Sequence, residues 1–331
     1  MTVVMSPTRL KPVPMLAEPP VAGLLPLYKR DTLAFLEMLA RQGGDIARFH
    51  LAVFPITFLN TPVLIQSLLV EHRGDIDKGA QVRAAFRPVV GTPLFTSEGA
   101  VHRRKRKLMA PAFQPRHIQA YAGTMAAYGE QIQQGWRDGA RIDVERAMSQ
   151  VTMSIVGKTL FDADVFTATD DLGAAVLLIN EYVTRRLTTP IPPPLWLPTP
   201  YIARVRAAKA TLQRRLGDLV AARQAAGATG TDMLAVLLSA RDDDGTALAP
   251  DQVRDEALSL FSAGYETTAV ALTWAWYLLA THPDCYARVR AEVDAALAGR
   301  TPTYDDLPRL PYTLQVLKET MRLYPPAYAF T

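Results

Sequence analysis

From Pro115 to Tyr324 apolar residues recur at the three- and four-residue spacing of amphipathic helices almost without relief. The spacing predicts helices near 115–136, 144–161, 170–187, 201–225 and 231–240, then a long one through the apolar stretch 257–280. Another starts at His282-Pro283-Asp284 and reaches about Ala298, and a last one covers 311–324, stopped by Pro325-Pro326. Upstream the pattern changes. Asp31-Thr32 can cap a helix to Arg41 that Gly43-Gly44 stops. The β-branched and aromatic runs 46–54 and 56–60 read as a short hairpin around Pro55, and a helix follows near 63–72. The glycine-dotted 74–99 is expected to be irregular, and 189–200, TPIPPPLWLPTP, to be a stiff connector. Prolines keep 1–30 extended as an arm ahead of one domain, 31–331. The class is mainly α with a small N-terminal β part and a long central buried helix.

The helix over 257–280 is apolar on every side, as the axis of a large domain or a membrane span would be. Its centre, Ala263-Gly264-Tyr265-Glu266-Thr267-Thr268, is costly in either role. A glycine inside a helix costs about 1 kcal/mol against alanine, and an unpaired buried carboxylate costs several more. A membrane span fits poorly, since the run is single, holds a carboxylate at mid-depth and follows acidic residues. Residues four apart share a face, so Ala263 stacks with Thr267 and Gly264 with Thr268. That small-residue patch would let a flat ligand approach the backbone. A threonine hydroxyl there can bond its own i−4 carbonyl, and Glu266 could carry protons. A plain core helix with a small-residue crossing and a paired Glu266 fits these six residues equally well.

Composition narrows this little. Half of the 331 residues are hydrophobic and the net charge is +4, which describes a globular chain with a sizeable core. The single cysteine, Cys285, rules out an intrachain disulfide. The N-terminus has neither an anchor's long apolar run nor the charge order of a signal peptide, so the cytoplasm is the expected location. Asp242-Asp243-Asp244-Gly245 has the wrong ligand spacing for calcium and reads as a solvated loop.

Two further segments could carry chemistry. In His102-Arg103-Arg104-Lys105-Arg106-Lys107 the four-residue spacing lets His102 and Arg106 face one anionic group, with Arg103, Lys105 and Lys107 turned to solvent or a partner. No aromatic residues interleave with these charges, which argues against a nucleic-acid surface. Glu319 and Arg322, three apart, can pair on the last helix.

Together and in this order, the three segments resemble the cytochrome P450 haem-thiolate monooxygenases. The likeness runs from about Pro19 to Thr331 and lies in Ala263-Gly264-Tyr265-Glu266-Thr267-Thr268, in Glu319-Thr320-Met321-Arg322 with Leu323-Tyr324-Pro325-Pro326, and in Gly99 to Arg106 with Ala110-Pro111-Ala112-Phe113. The resemblance implies haem b as cofactor, with Thr267 and Glu266 serving oxygen activation and proton delivery. Ala263, Gly264 and Thr268 would border the haem, and Arg106 and His102 would bind its propionates. Glu319 and Arg322 would form a buried pair. It further implies a monomer acting on a hydrophobic substrate, with electrons from NAD(P)H through a ferredoxin- or flavin-type partner docking at Arg103, Lys105 and Lys107. The family's iron-binding cysteine lies downstream of the ExxR helix in a glycine-flanked loop. Cys285 lacks that setting and is not expected to bind iron, so the resemblance covers the N-terminal three-quarters of the family's domain. The alternative is a truncated, non-catalytic helical relative. The sequence KETMRLYPP is closer to members acting on lipids than to many small terpene hydroxylases.

Overall fold

The computed structural model describes residues 12–162, 171–189, 192–227 and 232–327. The first residues of the proline-rich arm, the expected helix starts at 170 and 231, part of the 189–200 connector and Thr331 lie outside them. The chain groups into two compact units, Met1–Lys78 with Arg185–Pro192, and Gly79–Thr184 with Pro193–Thr331.

In the first unit, α1 (Leu25–Arg30) and α2 (Thr32–Gln42) precede β1 (Ile46–Leu51) and β2 (Phe54–Leu59). Then come α3 (Pro62–Gln66) and a π-helical turn (Ser67–Glu71) where one longer helix was expected. Asp31 caps α2, its carboxylate accepting from Ala34 N at 3.0 Å. Phe35 and Leu39 of α2 pack on Leu24 and on Phe49 of β1. The hairpin turns at Ala52-Val53 rather than around Pro55, with Ala52 at φ 54°. Pro55 lies inside β2 opposite His50. It fits there because His50 turns both main-chain groups toward the N-terminal arm. Its N–H donates to the Glu18 carboxylate at 2.6 Å and its carbonyl accepts from Leu24 N at 2.7 Å, so nothing in β2 must donate at that position. The arm is therefore hydrogen-bonded to β1, with Leu16 N donating to Arg48 O as well.

The second unit holds the helical body: α4 (Ala80–Val90), α5 (Gly99–Met109), α6 (Pro115–Gln134), α7 (Val144–Phe161), α8 (Asp171–Thr188), α9 (Pro200–Ala225) and α10 (Met233–Ser239). It continues with α11 (Pro250–Thr281), α12 (Pro283–Leu297) and α13 (Pro311–Leu323). Helix α4 falls within the stretch expected to be irregular. The glycines there mark its ends: Gly79 precedes it, and Gly91 closes it at φ 74°, where a Cβ would collide with the Asp255 carboxylate of α11. Val82, Ala85, Val89 and Val90 give α4 its buried face.

The main core joins residues of α4, α5 and α7 to α11, with Met153, Ile179, Val205, Leu212, Leu234 and Phe261 among its fully enclosed side chains. A second cluster sets Ala147, Met148 and Val151 of α7 against Ala269 of α11. Helix α11 is 32 residues long and threads both clusters. It is buried along Val253, Glu256, Ala257, Phe261, Tyr265 and Ala269, but not all round as the sequence suggests, because Ala263, Glu266, Thr267, Thr268 and Val270 are exposed. No helix among the described residues is long and apolar enough to cross a membrane.

Candidate functional site

The middle of α11 behaves as its residue types demand. Thr267 Oγ donates to Ala263 O at 2.8 Å and Thr268 Oγ to Gly264 O at 2.9 Å, so each hydroxyl is held over its own helix one turn back. Ala263 and Thr267 lie on the exposed strip with Glu266 and Val270. Gly264 instead faces α7, where a Cβ would come 3.3 Å from Val156 Cγ2, so this glycine lets α7 and α11 pack closely.

The Glu266 carboxylate turns toward α8. Asn180 Nδ2 donates to Glu266 Oε2 at 2.6 Å, and Asn180 Oδ1 accepts from Ser262 Oγ at 3.0 Å. Burial raises the Glu266 carboxyl above its ordinary value and the Asn180 bond partly offsets this, while water still reaches part of the residue. Beside it the Tyr265 hydroxyl is buried without a hydrogen-bond partner among the described residues, and burial pushes that phenol up.

On α5 the basic residues diverge. Lys105, expected at the surface, is 2% exposed, and its Nζ lies 2.8 Å from Oε1 of Glu256, which is 0% exposed. Lys105 Nζ also donates to Thr92 O, and Glu256 Oε2 accepts from Leu94 N at 2.8 Å, so each charge has a second polar partner besides the other. Lys105 is therefore no docking residue. The apolar packing of Leu108 and Met109 turns this side of α5 inward, and the ammonium follows to the one carboxylate waiting there. Lys107 stays exposed but pairs with Asp243 at 2.6 Å, and Arg104 Nε meets Asp242 Oδ2 at 2.5 Å. The acidic loop thus covers part of the basic helix instead of standing free in solvent. Arg103 and Arg106 are exposed, and Arg106 has no ion-pair partner among the described residues. His102, one turn before Arg106, is half-buried.

Glu256 sits seven residues before Ala263, which is within about 20° of two full turns. Lys105 therefore anchors α5 to the same stripe of α11 that emerges two turns later as Ala263 and Thr267. The apolar stretch singled out in the sequence begins at 257, and neither Glu256 nor its partner is marked there. A carboxylate one heptad ahead of the small-residue patch was the available signal. Nothing in the sequence marked Asn180.

Glu319 and Arg322 pair in a two-pronged contact, with Nε and Nη2 each 2.7 Å from a carboxylate oxygen. The pair expected to be buried is instead open to solvent, with side chains 54% and 66% exposed, because the described residues place no element over that face of α13. Cys285 is a free thiol on α12, near the Tyr312 phenol of α13, which its proximity pushes up. A cavity between α6 and α7, lined by Tyr128, Ile132, Trp136, Arg146 and Gln150, contains none of these residues.

Residues 14–331 match the family model described as Cytochrome P450. The chain belongs to the cytochrome P450 family. Among its relatives are cyclooctatin synthase of Streptomyces melanosporofaciens, 35% identical over 316 residues that span 94% of this chain and 68% of that protein. Pentalenene oxygenase of Streptomyces avermitilis is 32% identical over 315 residues, 94% of this chain and 69% of that protein. Among solved structures, retinoic acid-bound cyanobacterial CYP120A1 superposes with a TM-score of 0.81 at 25% identity, over 94% of this chain and 69% of that one. This P450 thus has the mainly helical fold expected, and haem is the cofactor of its family. The donor set fits such a group. Arg106 is an exposed guanidinium without an ion pair among the described residues, and Ala263 and Thr267 put small side chains on the exposed strip of α11.

Proposed function

We propose that this P450 acts as a haem monooxygenase that places one oxygen atom of O2 into a hydrophobic organic substrate. The electrons come from NAD(P)H through a ferredoxin- or flavin-type partner. Bound haem supplies the O2 chemistry, and the protein sets its surroundings. Arg106, with His102 one turn earlier, holds the carboxylate edge of the group by charge-assisted hydrogen bonds. Ala263 keeps the α11 strip flat enough for a planar ring to approach, while Gly264 and Thr268 set the local helix geometry. Thr267 donates its hydroxyl hydrogen bond to the Ala263 carbonyl, which leaves its oxygen lone pairs free to accept from water. Glu266 moves protons between that face and the α8 side. Of the three basic residues first considered for a partner, Arg103 and Lys107 remain on the surface.

The observation that carries this reading is a hydroxyl and a carboxyl side by side at Glu266 and Thr267, exposed at the centre of the long, largely apolar helix α11. Two related Streptomyces proteins are named pentalenene oxygenase and cyclooctat-9-en-7-ol 5-monooxygenase, which moves the proposed substrate class from lipids at large toward terpene-like hydrocarbons. Replacing Thr267 by Ala in the haem-loaded enzyme should lower product formed per O2 consumed several-fold with the haem spectrum unchanged. Unaltered coupling would overturn the role of Thr267.

A further inference from the structure

Glu266 is reached from α8 by one neutral group. Asn180 Nδ2 donates to its carboxylate at 2.6 Å while Asn180 Oδ1 accepts from Ser262 Oγ at 3.0 Å. Ser262 and Glu266 are one turn apart on α11, so a single amide spans both. We propose that Asn180 is a positioning residue for Glu266, an amide able to hold this carboxyl in both its ionised and its protonated state, so that a proton carrier stays in place while its charge changes. The proposal rests on the monooxygenase reading of this face.

The chemistry of the donors carries it. An ionised carboxylate only accepts, so the amide must present its NH2 to Glu266 and its oxygen to the serine hydroxyl, as observed. When Glu266 takes a proton, a half-turn of the same amide presents its oxygen to the new O–H and its NH2 to Ser262 Oγ. The Glu266–Asn180 hydrogen bond is kept in either arrangement. Lysine or arginine at this position would serve the ionised form alone, aspartate would repel it, and leucine would serve neither. The hydroxyls of Thr267 and Thr268 donate to their own helix carbonyls and are not competing partners for Glu266. The titratable neighbour on α11 is Tyr265, whose phenol is pushed up by burial and then by the Glu266 charge, with Asn180 acting the other way; from α8 the group facing both is the neutral Asn180 amide.

Carbon-13 and nitrogen-15 NMR of the full chain tests this, with Glu266→Gln identifying the Glu266 carboxyl signal. The Asn180 side-chain amide should titrate with the same midpoint as that carboxyl. Asn180→Leu should raise the midpoint by about one pH unit, roughly tenfold in proton affinity, and Asn180→Lys should lower it. Asn180→Asp, nearly the same shape, should raise it by like charge and serves if the leucine variant does not fold. An Asn180 amide signal indifferent to pH through the Glu266 midpoint, or a midpoint equal in the wild type and the Leu and Asp variants, would overturn the proposal. Neither result bears on the monooxygenase reading, which stands or falls on the coupling measured with Thr267→Ala.

Discussion

At Glu266 two opposed forces act on one carboxyl: burial favours the neutral form and the Asn180 amide favours the charged one. Burial wins, so the folded value lies above the ordinary 4.5. For a raised value the stabilising contribution is complete below the unfolded value and is lost as pH rises through the folded one. The wild type should therefore lose stability relative to Glu266→Gln as pH climbs from about 4.5, and the gap should level off once Glu266 is ionised. Urea unfolding at a series of pH values measures it, and parallel curves would refute the shift. Arg106 belongs to the same scale. Arg106→Ala should reduce haem retention after gel filtration, and normal haem content would refute its role. The bonds of Thr267 and Thr268 were legible in the sequence because they close over four residues. Asn180 was not, since it meets Glu266 across 86 residues and nothing local announces it.

Helix α5 shows what periodicity does and does not specify. The spacing indicated that His102 and Arg106 share a face. Which side of the helix faced the body depended on Leu108, Met109 and a carboxylate on a distant helix, and this turned Lys105 inward. Removing one member of such a pair strands a charge. Lys105→Met or Glu256→Leu alone should each cost about 3–5 kcal/mol, while the double variant should recover most of it. An additive double variant in denaturant unfolding would show that the pair is not coupled. The surface contact of Lys107 with Asp243 should behave differently, as Asp243→Asn should change stability by about 1 kcal/mol or less, with the effect vanishing at high salt. Elements without strong periodicity were read less well. Helix α4 hid behind its flanking glycines, and the hairpin turn moved because Pro55 needs no donor where His50 faces the arm.

For the molecule as a whole, the long periodic helices were legible because burial of one apolar stripe dominates their energetics. The exposure of the Glu319–Arg322 pair was not, since it depends on what packs over α13 rather than on the two residues themselves. Burial also ranks the parts by resistance to opening. Amides around Met153 of α7 and Phe261 of α11 should be the last to exchange with deuterium, and faster exchange there than in the hairpin of the first unit would contradict the placement of the core. One contact gives this body an optical handle. Tyr324, just past α13, lies flat on Trp274 of α11, with ring centroids 4.0 Å apart and planes within 5°. In a variant whose other three tryptophans, Trp136, Trp196 and Trp276, are replaced by Phe, the emission of Trp274 therefore reports whether the ExxR helix is seated. A change in its intensity or lifetime would time the docking of that helix during refolding without any added label.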